Sequence, residues 1–366
     1  MLKVNETILP DKNKLFDYFS QVYSNGQVTN NSLFVGKLEK LIANYTNSKF
    51  VIATSSGTMA LHLALKSLGQ NYGEIVTTPL SFIASTSSIL WENFKPVFCD
   101  VDENTFCIDV DKVEKKINKK TVAILAVNLF GNTCDIERLE ILSKQKNLTL
   151  IFDSAHSFGT TYKGKSCLLY GDISITSFHA SKIFSTVEGG AIFMKNNHKF
   201  QEIFKMRYFG KDYNNMEVML GTNGKMSEFH AAYGLASFEN LSFELKRRKE
   251  IADFYTLYFE QNSDFFTLQK TNNHTLVNNS FFPLIIKNSN LDIDKLLLKA
   301  LENGINFRRY FSPPLNELKF VNSIEQDTPI ASAISKRIIC IPIHSKLENN
   351  DLNKIINFLD SHFKNE

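Results

Sequence analysis

Cysteine is scarce in this 366-residue chain, and the five present, Cys99, Cys107, Cys134, Cys167 and Cys340, are odd in number and form no C-x-x-C pair. That argues against a disulfide framework and against a zinc site or other metal centre, and points to buried free thiols in a reducing compartment. The first ten residues, Met1 to Pro10, contain no hydrophobic run of the kind a signal peptide needs. The longest apolar run, near Val122 to Phe130, falls far short of a bilayer span. A cytoplasmic protein without a membrane partner is expected. Charge of one sign is also lacking: the formal net charge is +3 and the pI about 8.4. No run of Lys and Arg is interleaved with aromatics, so no nucleic-acid partner is expected. The short cluster Lys246-Arg247-Arg248-Lys249 lies in a helical pattern and reads as a solvated helix face. Neither G-x-G-x-x-G nor G-x-x-x-x-G-K-[ST] occurs, which disfavours NAD chemistry and nucleotide hydrolysis. Internal repeats and low-complexity tails are absent.

What is present is ordinary in bulk and specific in pattern. Hydrophobic residues make up 43% and charged residues 22%, as in soluble globular proteins. The length suits one large domain and one smaller one. Short apolar runs rich in β-branched residues occur at Phe50–Thr54, Glu74–Thr78, Pro96–Cys99, Thr121–Val127, Leu148–Asp153, Ile173–Phe178 and Ala191–Met194. Several are nearly continuous, as in strands covered on both faces. Helical patterns such as Met59–Leu68 and Ile136–Lys146 separate them. This alternation predicts an α/β fold with a mostly parallel sheet. After about Leu235 the character changes. Phe243 to Phe259 reads as a connecting helix, followed by a smaller α+β unit with strands at Phe281–Ile286 and Arg337–Ile341 and helices at Ile293–Asn303 and Asn350–Phe363. The expected division is residues 1–242 and 243–366.

Four places along the chain carry chemistry-bearing residues. Lys182 follows an apolar strand and precedes Glu188-Gly189-Gly190, in the strand-end region where α/β sheets bind ligands. The Gly pair permits a sharp turn or a close backbone approach. Asp153 ends a buried strand, where a carboxylate is costly unless paired or used; a helix cap is the ordinary alternative. Ser56-Gly57-Thr58 follows a strand and opens an apolar helix, a ready anion site as well as a plain cap. Phe82 follows another strand end and can stack on a flat ring, or belong to the core. Taken in chain order, these form a candidate constellation of phosphate cradle, aromatic, carboxylate, lysine and Gly-Gly.

The residues Ser56-Gly57-Thr58-Met59-Ala60-Leu61, Asp153-Ser154-Ala155-His156-Ser157-Phe158-Gly159, Ser177-Phe178-His179-Ala180-Ser181-Lys182, Gly221-Thr222-Asn223-Gly224-Lys225-Met226-Ser227-Glu228, Arg308-Arg309-Tyr310-Phe311 and Ile341-Pro342-Ile343-His344 appear in this order. In this the sequence resembles the nucleotide-sugar aminotransferases of the DegT/DnrJ/EryC1/StrS family, over almost its whole length. The resemblance implies the pyridoxal-phosphate (PLP) fold of the aspartate aminotransferase type: a large domain with a seven-stranded, mostly parallel sheet and a smaller C-terminal domain, working as a homodimer with shared sites. It implies that Lys182 holds PLP, that Asp153 pairs with the pyridine nitrogen, and that His156 contacts the O3′ side. It further implies that Gly57, Thr58 and Ser177 bind the phosphate, with Ser56 beside them, that Phe82 stacks on the ring, and that Asn223 reaches the partner's phosphate.

Lys225, Arg308, Arg309, Tyr310 and Glu188 are the candidates for the nucleotide-sugar side. Many family members carry Arg at the position of Lys225 and His at that of Tyr310. The closest branch by resemblance aminates C-4 of dTDP-4-keto-6-deoxyglucose with L-glutamate as donor, for surface polysaccharide such as O-antigen. Alternatives are amination at C-3, a UDP- or GDP-linked sugar, and a PLP-binding regulator without turnover. A sugar dehydratase on the same fold is disfavoured, because that branch has His where Lys182 stands.

Overall fold

The computed structural model describes residues 1–321 and 327–363. Thirteen strands are found in it: β1 Phe50–Thr54, β2 Glu74–Thr77, β3 Lys95–Phe98, β4 Thr121–Val127, β5 Thr149–Asp153, β6 Thr161–Tyr162, β7 Lys165–Ser166, β8 Ile173–Ser177, β9 Gly190–Met194, β10 Phe266–Leu268, β11 Thr275–Leu276, β12 Phe282–Ile286 and β13 Ile338–Ile341. Seven of these form one sheet in the order β1-β9-β8-β5-β4-β2-β3. All seven were legible as apolar runs, with ends displaced by a residue in places. β9 alone runs against its neighbours, pairing antiparallel with both β1 and β8. The other pairings are parallel. Helices cover both faces, which is why Ile124, Leu125, Ala126, Ile151 and Phe152 are all fully buried along consecutive positions.

Helix starts follow local capping chemistry. Ser56 accepts from the Met59 amide at the head of helix Gly57–Lys66, and Asp135 from the Arg138 amide at the head of helix Ile136–Lys146. Helix Leu33–Thr46 has no such cap of its own. Its first amides are met by the buried carboxylate of Glu228, which accepts from Ser32, Phe34 and Val35 at 2.7, 2.6 and 3.2 Å. One turn on, Glu39 accepts from the Ala53 amide at 2.8 Å and pairs with the buried Arg207 at 2.6 Å. The Phe34–Glu39 and Met226–Glu228 stretches thus lock a helix onto the sheet edge.

The C-terminal unit holds a three-stranded antiparallel sheet, β10-β12-β13, under helices Leu241–Gln261, Ile293–Glu302 and Asn349–Phe363. β10 and the small β11-β6-β7 sheet are too short to leave a periodic signal, and the sequence reading did not contain them. Most of the second core lies beyond Ile251, yet Leu2 packs against it. Conversely Phe281, Ile285, Ala331, Ile334 and Cys340 pack into the large core.

One expectation needs correction. The Lys246–Lys249 cluster is not wholly a solvated face. Lys249 and Arg247 are surface ion-pair partners of Asp253 and Glu250, but Arg248 is fully buried. Helical spacing places it with Glu244, Ile251, Ala252 and Tyr255 on the buried side. Its guanidinium binds Glu244, Asn5 Oδ1 and the Ile343 carbonyl at 3.4, 3.2 and 2.6 Å. Among the described residues no helix is long and apolar enough to cross a membrane.

Candidate active site

A cavity of about 300 Å³ opens at the carboxyl ends of β5 and β8. It is lined by Ser56, Gly57, Thr58, Phe82, Asp153, His156, Ser177, Lys182, Glu188 and Tyr310, ten of the fourteen residues picked from sequence. Parallel strands bring these together because their carboxyl ends all open on one edge of the sheet.

One end of the cavity is the start of helix Gly57–Lys66. Ser56 spends its hydroxyl on the Met59 amide at 3.0 Å. The amides of Gly57 and Thr58 lie in the first turn, where helix geometry leaves N–H groups without an intrahelical carbonyl. Ser177, at the end of β8, faces them: a Cβ built on Gly57 would sit 2.8 Å from the Ser177 Cβ. Gly190 is just as tight, since its Cβ would fall 2.7 Å from the Gly57 nitrogen. The two glycines let three backbone segments converge where an anion would sit.

The floor is Asp153, 5% exposed. Its Oδ2 accepts from Ser85 Oγ at 2.6 Å and its Oδ1 from the Ala155 amide at 3.1 Å. Burial raises its pKa, against the lowering effects of these two donors and of Lys182. A cationic N–H placed above it would stabilise the ionised form.

Lys182 comes from the turn after β8, where its amide donates to the His179 carbonyl at 2.9 Å. Burial pushes its ammonium down to about 8, with Asp153 pulling the other way. A lysine so shifted supplies far more neutral amine at ordinary pH than a surface lysine does.

His156 is buried beside it. Its Nδ1 accepts from the Phe130 amide at 3.3 Å, which leaves the proton on Nε2. Burial, and then the Lys182 charge, hold its pKa well below the usual value, so the ring is a neutral donor. Asn278 and Ser280 each donate to the His156 carbonyl at 2.8 Å.

Phe82 lies at the mouth, 57% exposed, with its ring 6.2 Å from that of Phe311. Phe281, Phe311 and Tyr310 build the opposite wall. Glu188 stands at the rim, its Oε1 3.6 Å from His179 Nε2.

Four sequence candidates do not line this cavity. Lys225 donates to Asn223 Oδ1 at 2.7 Å and sits over the rings of Phe209 and Tyr208, 4.2 and 4.9 Å from their centroids. Arg308 is exposed, and its backbone pairs with Cys340. Arg309 turns away, binding Asp294 at 3.0 Å and the Ser335 and Lys336 carbonyls at 3.2 Å. That is a helix C-terminus interaction, for which an arginine is well suited. Sequence reasoning missed Ser85, Phe281, Phe311 and His179. Of these His179 and Phe311 carried a signal, His179 by its place three residues before Lys182 and Phe311 by ending the Arg308–Phe311 motif.

The arrangement suits a flat heteroaromatic ring with a protonated nitrogen and a phosphate arm. The helix start would take the phosphate, the buried carboxylate the nitrogen, an aromatic one face, and the lysine amine a carbonyl carbon.

Comparison with known proteins agrees. The model of the DegT/DnrJ/EryC1/StrS aminotransferase family matches residues 10–360. The chain is 33% identical over 357 residues to dTDP-4-amino-4,6-dideoxy-D-glucose transaminase of Shigella dysenteriae, covering 96% of each. It is 30% identical over 352 residues to GDP-perosamine synthase of Caulobacter vibrioides, covering 94% of each. Among solved structures, DesI with its TDP-sugar product superposes with a TM-score of 0.91 at 25% identity, covering 98% of this chain and 92% of that one. The aminotransferase PseC of Helicobacter pylori gives 0.93 at 24% identity over the full length of both chains, a likeness of fold. The chain belongs to the DegT/DnrJ/EryC1/StrS aminotransferase family.

Proposed function

We propose that this aminotransferase uses PLP to replace the C-4 carbonyl of a nucleotide-linked 4-keto-6-deoxyhexose by an amine, with dTDP-4-keto-6-deoxyglucose as substrate and L-glutamate as donor. The observation that carries the reading is the convergence of Lys182, Asp153 and the Gly57 helix start on one cavity. When bound, PLP supplies an electron sink for the carbanion formed at the donor carbon. Asp153 keeps the ring nitrogen protonated. The Gly57 and Thr58 amides and Ser177 hold the phosphate, His156 Nε2–H donates toward O3′, and Phe82 covers the ring. Lys182 moves the proton, taking it from the donor carbon as a neutral base and delivering it as an acid to C4′, the cofactor carbon that carried the aldehyde.

The nucleotide-sugar is proposed to enter past Glu188 and Tyr310, with Arg308 near its diphosphate. Asn223 and Lys225, which lie outside this chain's own cavity, are proposed to serve the cavity of a partner copy in a homodimer. The product suits a cytoplasmic step in making surface polysaccharide. Similarity to a GDP-perosamine synthase favours a GDP-linked sugar as the second reading.

The test is an absorbance spectrum of PLP-loaded protein, followed by glutamate and then the keto sugar. A cofactor band lost with glutamate and restored by the dTDP sugar supports the proposal. Restoration by the GDP sugar alone selects the second reading, and no response to glutamate rejects both. Lys182→Ala should abolish turnover while the protein remains folded, and wild-type activity in that variant would sink the assignment.

A further inference from the structure

We infer that the N-terminal strap, residues 2–9, is a positioning element for Lys182, and that Thr7 is the residue through which it acts. The Thr7 hydroxyl donates to the Ala180 carbonyl at 2.7 Å, across 173 positions of sequence. That carbonyl belongs to the peptide two residues before Lys182. Within the loop, the Lys182 amide binds the His179 carbonyl and the Ser181 amide binds His179 Nδ1, both contacts local to the turn. Thr7 adds a contact from outside it, and so fixes the turn against the rest of the molecule.

The other end of the strap is firmly held. Leu2 pairs with the Gly304 carbonyl and the Asn306 amide, and the Val4 carbonyl accepts from Ile343 at 2.9 Å. Asn5 is bound by the buried Arg248 at 3.2 Å. Lys346 reaches both Glu6 Oε1 at 2.7 Å and the Thr7 carbonyl at 3.4 Å. Arg248 also binds the Ser280 carbonyl at 3.3 Å, next to the cavity residue Phe281, while the Ser280 hydroxyl holds His156. The strap, the His156 side of the cavity and the Lys182 turn are therefore referred to one buried joint in the C-terminal unit. A threonine serves where a side chain must reach a carbonyl with little rotational freedom to lose.

The inference rests on Lys182 being the cofactor lysine, and is tested on PLP capture and on turnover separately. Thr7→Val removes the donor and keeps the shape; Thr7→Ser keeps the donor. The rate of PLP capture by the apo-protein, its retention on dialysis, and kcat and KM for glutamate are measured, with the melting temperature as control. Losing one half-buried hydrogen bond corresponds to about a tenfold change. Thr7→Val is expected to slow capture and lower kcat by about that factor, with KM and melting temperature little moved, and Thr7→Ser to restore both. Wild-type capture and kcat in Thr7→Val, or equal impairment in Thr7→Ser, overturns the inference. Should Thr7→Val not fold, Lys346→Met decides, because it loosens the strap at an exposed site. A two- to threefold slowing, by about half the effect of the lost Thr7 bond, supports the inference, and an unchanged rate overturns it. Wild-type protein that captures PLP yet aminates no nucleotide sugar would remove the proposed substrate and leave this inference standing.

Discussion

The lowered pKa of Lys182 has a direct kinetic signature. With a midpoint of about 8, about one lysine in ten is neutral at pH 7, against about one in 3,000 for an ordinary lysine. The apo-protein should thus offer roughly 300 times more nucleophile at neutral pH than a surface lysine does. Mixing apo-protein with PLP across pH and following the visible band should give a capture rate that reaches half its limit near pH 8, with Lys182→Ala as blank. Asp153→Asn removes the one charge that opposes the shift, so its midpoint should move lower still. The same argument fixes the sign for stability. Between pH 8 and the ordinary lysine value near 10.5 the unfolded chain binds the extra proton, so apo-protein stability from this group rises with pH through that window. A capture midpoint at or above 10, or one that Asp153→Asn moves upward, refutes the claim that burial sets the lysine's charge.

Three further outcomes are expected. Ser85→Ala removes a hydrogen bond to the buried Asp153 carboxylate worth about 1.5–3 kcal/mol, so PLP affinity by equilibrium dialysis should fall about ten- to hundredfold. Gly190→Ala drives a Cβ to 2.7 Å from the Gly57 nitrogen and the Ser56 carbonyl oxygen, and neither backbone can retreat. It should cost about 1–3 kcal/mol or more in urea unfolding and weaken phosphate retention, and a variant as stable and as well loaded as wild type counts against that close approach. Glu228→Gln weakens three amide contacts at one helix start, and should destabilise by about 1.5–3 kcal/mol in thermal or urea unfolding with the capture midpoint of Lys182 unmoved.

Legibility in the sequence followed the range of the interaction. Strands β4 and β5 could be read because both of their faces are covered, which writes an unbroken apolar run. Asp153 and Lys182 stood out because a strand end is a local feature and their residue types are unusual there. Ser85 could not stand out: it is one serine among several in helix Ile83–Trp91, and only the parallel pairing of the sheet brings it to Asp153, 68 positions away. Phe281 was hidden among 31 phenylalanines, most of which simply pack, and Phe311 stood in the Arg308–Phe311 motif with no role of its own. Arg248 was misread because three neighbouring cations set the character of the cluster, while helical phase alone decides which one faces inward.

β9 is the last of the seven strands to be made, and it inserts between β1 and β8. Thr54 pairs with Gly190 at one of its edges, and Ser177 pairs with Gly190 at the other. The turn after β1 and the lysine turn after β8 therefore have no strand joining them in the sheet until that insertion is complete. During synthesis, a chain that has not yet released Met194 carries every cofactor-binding residue proposed from this domain's first half and still has no site in which to use them. Uptake of cofactor then reports closure of the sheet, whose β1–β9 pairing spans more of the sequence than any other in it.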